Sequence, residues 1–411
     1  MKKLLSLILV LALALSLVAC GGNSAPAADA PAADAPAADA PAAEAPAGGT
    51  IRIAFVGPQT GDNAEHGQQM KAAIQVAIQQ WNDKGGILGK TIVLDDYDDK
   101  NDSQEAGTIA EKIVSNDEYV AVIGHFSSGV AMTAAEIYQE AGIPLINGSA
   151  AHTDYSSIGD CIFRNNAMYT VDASSALQIM EHFGYTKFAS IQPNSDAGVS
   201  INACLDTYLE DYGSALNVEK VAVELYEDGT VDFSAAINKC HEAGTEIVYT
   251  TAPYSIVAPL LKQYKAINPD IKFILSSGAF SQEFLDLAGE DANGVYVPNS
   301  FFYESSREAT QQFTAAFNAH YGSNPSTFAA QCYDAANMIF LAIEAGQSDA
   351  RADIVENLYK VEFDGASGKI VFDEIGDVPK QQVCLTVENM IWTEIPDVLL
   401  SPVDWAAELG F

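Results

Sequence analysis

"VIGHFSSGVAMTAAE" occupies residues 122–136. "VIGHF" is apolar and of strand length, "SSG" is a turn, and the rest is an Ala-rich helical run. A strand that turns directly into a helix is the repeating unit of a parallel sheet. Two hydroxyls, Ser127 and Ser128, stand at the mouth of this helix. Backbone N–H groups there lack intrahelical partners, and the helix dipole is positive. The pair is open to three readings: a nucleophile with its helper, a plain helix cap, or a seat for a ligand carboxylate.

Outward from this stretch the same unit recurs. Toward the N-terminus, "IRIAFVG" (51–57) is a buried strand, and a helix over 67–86 carries Met70, Ile74, Ala77, Ile78 and Trp81 at helical spacing until Gly85 closes it. "KTIVLDDYDD" is a second strand, a helix follows near 103–115, and "YVAVIGHF" (119–126) is the third strand. The helix at 129–141 then leads to "IPLING" (143–148). After a break near 165–172 the alternation restarts. Helices at 172–184, 198–212, "FSAAINKCHEAG" and "SIVAPLLKQYKAI" precede strands at 187–192, 218–226, 246–253 and 272–278, with "GVYVPNSFF" (294–302) ending the series. Helices near 305–321 and 327–345, a strand and turn in "GKIVFDEIGD", and one antiparallel strand over 381–395 complete the chain. The fold class predicted is α/β, with two doubly wound parallel-sheet lobes joined by several crossings.

The ends and the composition fix the setting. Lys2 and Lys3 precede an apolar run from Leu4 to Leu17, then Leu17-Val18-Ala19-Cys20. This is the order of a secretory leader, too short for a comfortable membrane-spanning helix. The ending resembles the lipobox of bacterial lipoproteins, which implies cleavage before Cys20 and lipid on its side chain. "PAADA" repeats at 26–30, 31–35 and 36–40, followed by "PAAEA" at 41–45, which describes a semi-extended stalk. The chain carries 55 acids against 20 bases, a formal charge of −35. Such a surface repels nucleic acid and anionic headgroups, so no nucleic-acid partner is expected. Cys161, Cys204, Cys240, Cys332 and Cys384 are odd in number and include no CxxC, so no disulfide scaffold is suggested. His66, His125, His152, His182, His241 and His320 show no metal-ligand spacing; neither metal nor cofactor is expected.

Several stretches in one order carry a family resemblance: "IRIAFVGPQTG", "WNDKGGILGKTIVLDDYDD", "YVAVIGHFSSG", "EAGIPLINGSA", "CIFRNN", "DFSAAINKCHEAGTEIVY" and "GKIVFDEIGD". Together they resemble the branched-chain (Leu/Ile/Val-type) amino-acid binding proteins of ABC importers, the type I periplasmic binding protein family, over roughly 50–395. The resemblance implies two lobes closing by a hinge around one small ligand, a permease as docking partner, and a monomer. The organisation expected is a signal peptide at 1–19, a lipidated Cys20 and stalk at 20–49, one lobe from 50–167 plus 300–376, and the other from 168–299 plus 377–411. The location expected is extracytoplasmic, held at the membrane by lipid.

In open α/β sheets ligands sit beyond the carboxyl ends of strands. Phe126-Ser127-Ser128 and Ser149-Ala150-Ala151 follow neighbouring strands and so meet at one place. The resemblance puts Ser128 on the ligand's carboxylate, with the 149–151 backbone beside it, and leaves Ser127 as a local cap. It also points to His66, Phe328, Tyr254 and Asp196 as pocket positions. Ala151 stands where the family commonly has Thr, Ala197 where an aromatic is common, and Ser277 where the amino-acid binders carry an acid for the ligand ammonium. Either another acid such as Asp196 replaces it, or the ligand is an amide or organic acid. "GHFSSG" has its glycines five apart and is not the GxSxG elbow, and no acid is recognisable to orient His125 or His152. An ABC-importer binding protein is therefore the leading expectation and not an enzyme. A sensor of the same fold comes second and a Ser128 esterase is remote.

Overall fold

The computed structural model describes residues 48–400 apart from Asp228. The leader, Cys20, the stalk as far as residue 47 and residues 401–411 lie outside the described residues.

The first sheet holds β1 (Thr50–Gly57), β2 (Thr91–Asp98), β3 (Tyr119–Gly124), β4 (Leu145–Asn147) and β5 (Ile162–Arg164), in the order β2-β1-β3-β4-β5. Every neighbouring pair is parallel. Helices α1 (Ala64–Asn82), α2 (Ser103–Val114) and α3 (Ser128–Glu140) make the first three crossovers. Helix α4 (Tyr169–Phe183) leads to β6 (Lys187–Pro193), α5 (Asp196–Leu216), β7 (Glu219–Tyr226), α6 (Ser234–Glu242), β8 (Ile247–Thr250), α7 (Tyr254–Ile267), β9 (Lys272–Leu275), α8 (Gln282–Ala288) and β10 (Tyr296–Asn299). Helices α9 (Glu308–Tyr321), α10 (Thr327–Gly346) and α11 (Arg351–Leu358) follow. A small hairpin of β11 (Phe363–Gly365) and β12 (Gly368–Ile370) precedes β13 (Val383–Glu388) and β14 (Ile391–Leu399). The second sheet runs β14-β13-β10-β9-β8-β6-β7, parallel from β6 to β10 and antiparallel at β13 and β14.

Period-two alternation explains why both faces of each sheet are covered. In β1, Ile51, Ile53 and Phe55 enter a cluster with Met70 and Ile74 of α1 and Ile339 and Phe340 of α10. Ala54 and Val56 point the other way, into a cluster with Ala106 of α2 and Ala131 and Tyr138 of α3. In the second sheet Val248 faces Val257 and Leu261 of α7, whereas Ile247 and Tyr249 face Leu177 of α4 and Leu205 of α5. Each large apolar side chain buried in this way contributes roughly 1.5–3 kcal/mol.

Three differences from the sequence reading have physical causes. The apolar runs at 119–126, 246–253 and 272–278 outlast their ladders, which stop at Gly124, Thr250 and Leu275; the remaining residues line or support a cleft. The single strand expected over 381–395 is a hairpin. Asn389 and Met390 both take positive φ (51° and 65°) in a two-residue turn, and an apolar Met in that place hides the signal. Strand β5 has three residues and ends just before the apparent break, too short to register as an apolar run, while α8 and α11 are too short to show helical periodicity.

Candidate functional site

The carboxyl ends of strands from both sheets open on one cleft of about 690 Å³. Of the residues singled out in the sequence, Phe126, Ser127, Ser128, Ser149, Ala151, Asp196, Ser277 and Phe328 line it. Ala150 and His66 are fully buried and Tyr254 is 6 % exposed; these three lie behind the lining.

The polar wall is built around Asn147, a fully buried residue at the end of β4. Its amide nitrogen donates to the carbonyls of Gly124 and His125 at 2.9 and 3.1 Å. Its oxygen accepts the N–H groups of Ser149 and Ala150 at 2.7 and 2.6 Å. One side chain thus ties the ends of β3 and β4 together. Gly124 allows the close approach: its φ is 138°, and a Cβ there would stand 2.0 Å from the Val56 carbonyl oxygen. The Ser149 hydroxyl donates to the carbonyls of His125 or Phe126, so it serves the backbone.

Ser128 behaves differently. Its Oγ accepts the N–H groups of Ala151 and His152 at 3.1 and 3.3 Å. Both lone pairs are engaged, and the hydroxyl proton is what remains to donate. Polarisation by two N–H groups makes it a stronger donor. Tyr169 lines the same cleft. Helix α3 begins here with no side-chain cap, and its first helical N–H bond runs from Ala131 to the Ser127 carbonyl. The N–H groups of its first turn face the cleft together with the positive end of the dipole. Ser127, expected as a cap, makes no side-chain cap bond; its N–H donates to Asn101.

The apolar wall is aromatic. Phe126 and Phe328 meet edge to face with centroids 5.3 Å apart. The His66 ring stacks behind Phe126 at 5.0 Å and contacts Phe328 and Tyr254 at 5.2 and 5.0 Å. Burial pushes the His66 imidazole down to about 4, so it is neutral near pH 7. His66 Nε2 is 3.1 Å from the Gly278 carbonyl, and the neutral ring donates there, linking α1 to the turn after β9.

The sequence reading passed over four residues: Asn147, buried behind the polar wall, and Asn166, Tyr169 and Asp172, which shape the floor around the start of α4. The last three fall in the apparent break, which no periodicity marked. Asp172 accepts from Gln382 at 2.8 Å, and burial raises its carboxyl to about 7. Asp196, by contrast, is exposed at the start of α5.

One expectation needs correction. An acid does orient His125: Asp99 lies 2.7 Å from its Nδ1. Both side chains are fully buried, however, and Nε2 meets no partner among the described residues. The pair fixes the loop after β3 and does not activate Ser128. Among the described residues no group of His, Cys, Asp and Glu has the arrangement of a metal site.

A two-sheet molecule with its cleft at the strand ends defines a binding protein of the type I periplasmic fold. The chain belongs to the periplasmic binding protein family, whose pattern it matches over residues 50–386. A leucine-, isoleucine-, valine-, threonine- and alanine-binding protein of Pseudomonas aeruginosa is 31% identical over 335 residues, spanning 80% of this chain and 87% of the relative. The Leu/Ile/Val-binding protein of Escherichia coli is 26% identical, spanning 80% and 88%. The branched-chain amino acid transporter substrate-binding protein of Streptococcus pneumoniae, solved with isoleucine, superposes with a TM-score of 0.77 at 25% identity, covering 84% of this chain and 99% of that one. A Rhodopseudomonas palustris solute-binding protein solved with benzoate shares the fold, with a TM-score of 0.78 at 19% identity, covering 86% and 97%.

Proposed function

We propose that this protein captures a small carboxylate-bearing ligand, most simply a branched-chain or other hydrophobic amino acid, and presents it to the permease of an ABC importer. The observation that carries this is Ser128: a hydroxyl held by two backbone N–H groups at an uncapped helix N-terminus in the cleft. The ligand's carboxylate accepts from Ser128 and from the first turn of α3, and its apolar part lies against Phe126 and Phe328. Closure brings the lobe of residues 50–167 plus 300–376 toward that of 168–299 plus 377–411, with the crossings between them as hinge. Lipid on Cys20 and the stalk hold the protein outside the membrane; a Cys20→Ser chain shed into the medium would support this, and one still membrane-bound would oppose it. Isothermal titration against the twenty amino acids and a set of small carboxylates and amides tests the binding reading. Micromolar or tighter binding of at least one carboxylate is expected, and silence across the set overturns it.

A second reading is a carrier or sensor of an aromatic or other organic acid. Ser277 supports it, because it offers no charge to an ammonium group, and so does the aromatic wall. Binding of benzoate-like acids without binding of amino acids would select it.

A further inference from the structure

Amino-acid capture leaves a charge unaccounted for, since the resemblance places the ammonium-binding acid at position 277 and a serine stands there. The cleft lining contains three carboxylates, Asp62, Asp172 and Asp196. Asp62 and Asp196 are exposed and satisfied by water. Asp172 reaches the cleft surface while remaining only 8 % exposed. Among the described residues its only hydrogen-bond partner is a neutral amide, Gln382, and no arginine or lysine contributes to its acidity. A buried carboxylate without a cation is costly, and a fold keeps one where a cation arrives. The surroundings are polar as well: among the described residues the Tyr249 hydroxyl and the Gln382 side-chain oxygen are both buried without partners. Asp172 also lies one helical turn beyond Tyr169, and both line the cleft together with Ser128.

Resting on the carboxylate seat proposed above, we infer that Asp172 holds the protonated amine of a zwitterionic ligand and takes over the role for which Ser277 lacks a charge. The carboxylate then sits at Ser128 and the ammonium on the floor of the cleft, with Tyr169 beside both. Burial holds the Asp172 carboxyl at about 7, and an arriving ammonium favours its ionised form.

The test compares L-leucine with 4-methylpentanoate, the same molecule without its amine, by titration calorimetry on the wild-type chain, Asp172→Asn and Ser128→Ala. The wild type is expected to prefer leucine by about a hundredfold or more. Asp172→Asn is expected to abolish that preference by weakening leucine far more than 4-methylpentanoate, whereas Ser128→Ala weakens both. Equal losses of the two ligands in Asp172→Asn, no loss of either, or transfer of the effect to Asp196→Asn overturns the inference. Wild-type binding of 4-methylpentanoate without leucine overturns it too but leaves the carboxylate seat standing. Absence of all carboxylate binding removes the seat and the inference together. If Asp172→Asn does not fold, Asp172→Ser carries the same comparison, and the wild-type preference needs no variant.

Discussion

The two walls of the cleft are locked alike at their strand ends and differ at their rims. On the side of the first sheet, the ends of β3 and β4 are locked by internal hydrogen bonds: Asn147 spends both its donors and its acceptor on them, and Ser128 holds the next two N–H groups. Arg164, fully buried, braces this wall from below. It pairs with both oxygens of Asp377 and donates to the carbonyl of His152. On the side of the second sheet, the fully buried Gln192 does the same for the ends of β6 and β8, donating to Ser190 and the Tyr249 carbonyl and accepting from the N–H and hydroxyl of Thr251. Beside these locked ends, Ser195 and Asp196 are exposed at the start of α5, and Ser277 opens a short turn. The locked strand ends are suited to recognising what all ligands of one class share. The exposed rim at Ser195 and Asp196 is suited to telling ligands apart, because changes there break few internal bonds.

Four substitutions test that contrast. Asp377→Ala should have the largest effect. It leaves Arg164 buried without its partner, which costs about 3–5 kcal/mol, read as a lowered midpoint in denaturant. Asn147→Ala strands two carbonyls and two N–H groups and should cost roughly 2–4 kcal/mol of stability, with loss of ligand binding in calorimetry. Ser128→Ala should weaken binding by roughly 1–3 kcal/mol while the chain stays folded; unchanged affinity would reduce Ser128 to a structural brace. Ser127→Ala makes the smallest change. With no cap bond to lose, it should stay within about 0.5 kcal/mol in both stability and affinity.

Acidity sharpens the same contrast. The folded Asp172 carboxyl lies at about 7, above the ordinary carboxylate value near 4. Between those values the folded chain keeps a proton that the unfolded chain releases, so this group's contribution to stability falls as pH rises through that window. His66, held at about 4, acts in the opposite direction below its ordinary value near 6.5. Asp172→Asn removes only the first effect. The stability of this variant relative to wild type should therefore climb between about pH 4 and 7, as measured by denaturant titration at a series of pH values. A flat difference would show that Asp172 ionises alike in both states.

Much of this was legible in the sequence because parallel strands buried on both faces declare themselves as apolar runs. The order of β1 to β4 and of β6 to β10, and the placing of Ser128 beyond β3, follow from those runs and from the Ser-Ser-Gly turn. Elements held by tertiary contacts were not legible. β5 is three residues long and exists because β4 offers it an edge. The bridging role of Asn147 depends on partners 22 and 23 positions away, and nothing in "PLING" marks it. Asp172 was hidden for the same reason: its partner Gln382 is 210 positions distant. His66 and Tyr254, read as pocket positions, lie one layer behind the cleft lining, since an aromatic pattern does not tell a lining ring from the ring behind it.

The segment from Asp377 to Gln382 carries a consequence for anyone wishing to watch this molecule at work. Asp377 grips the brace beneath the wall that carries Ser128, and Gln382 grips Asp172 on the floor. Six residues therefore run between the two, anchored midway by the buried Lys380, which donates to Ser367, while Pro379 beside it is exposed. A fluorophore on a cysteine placed at Pro379 would report movement of this segment without touching the ligand, making the stretch leading into β13 a natural position for an optical reporter of occupancy.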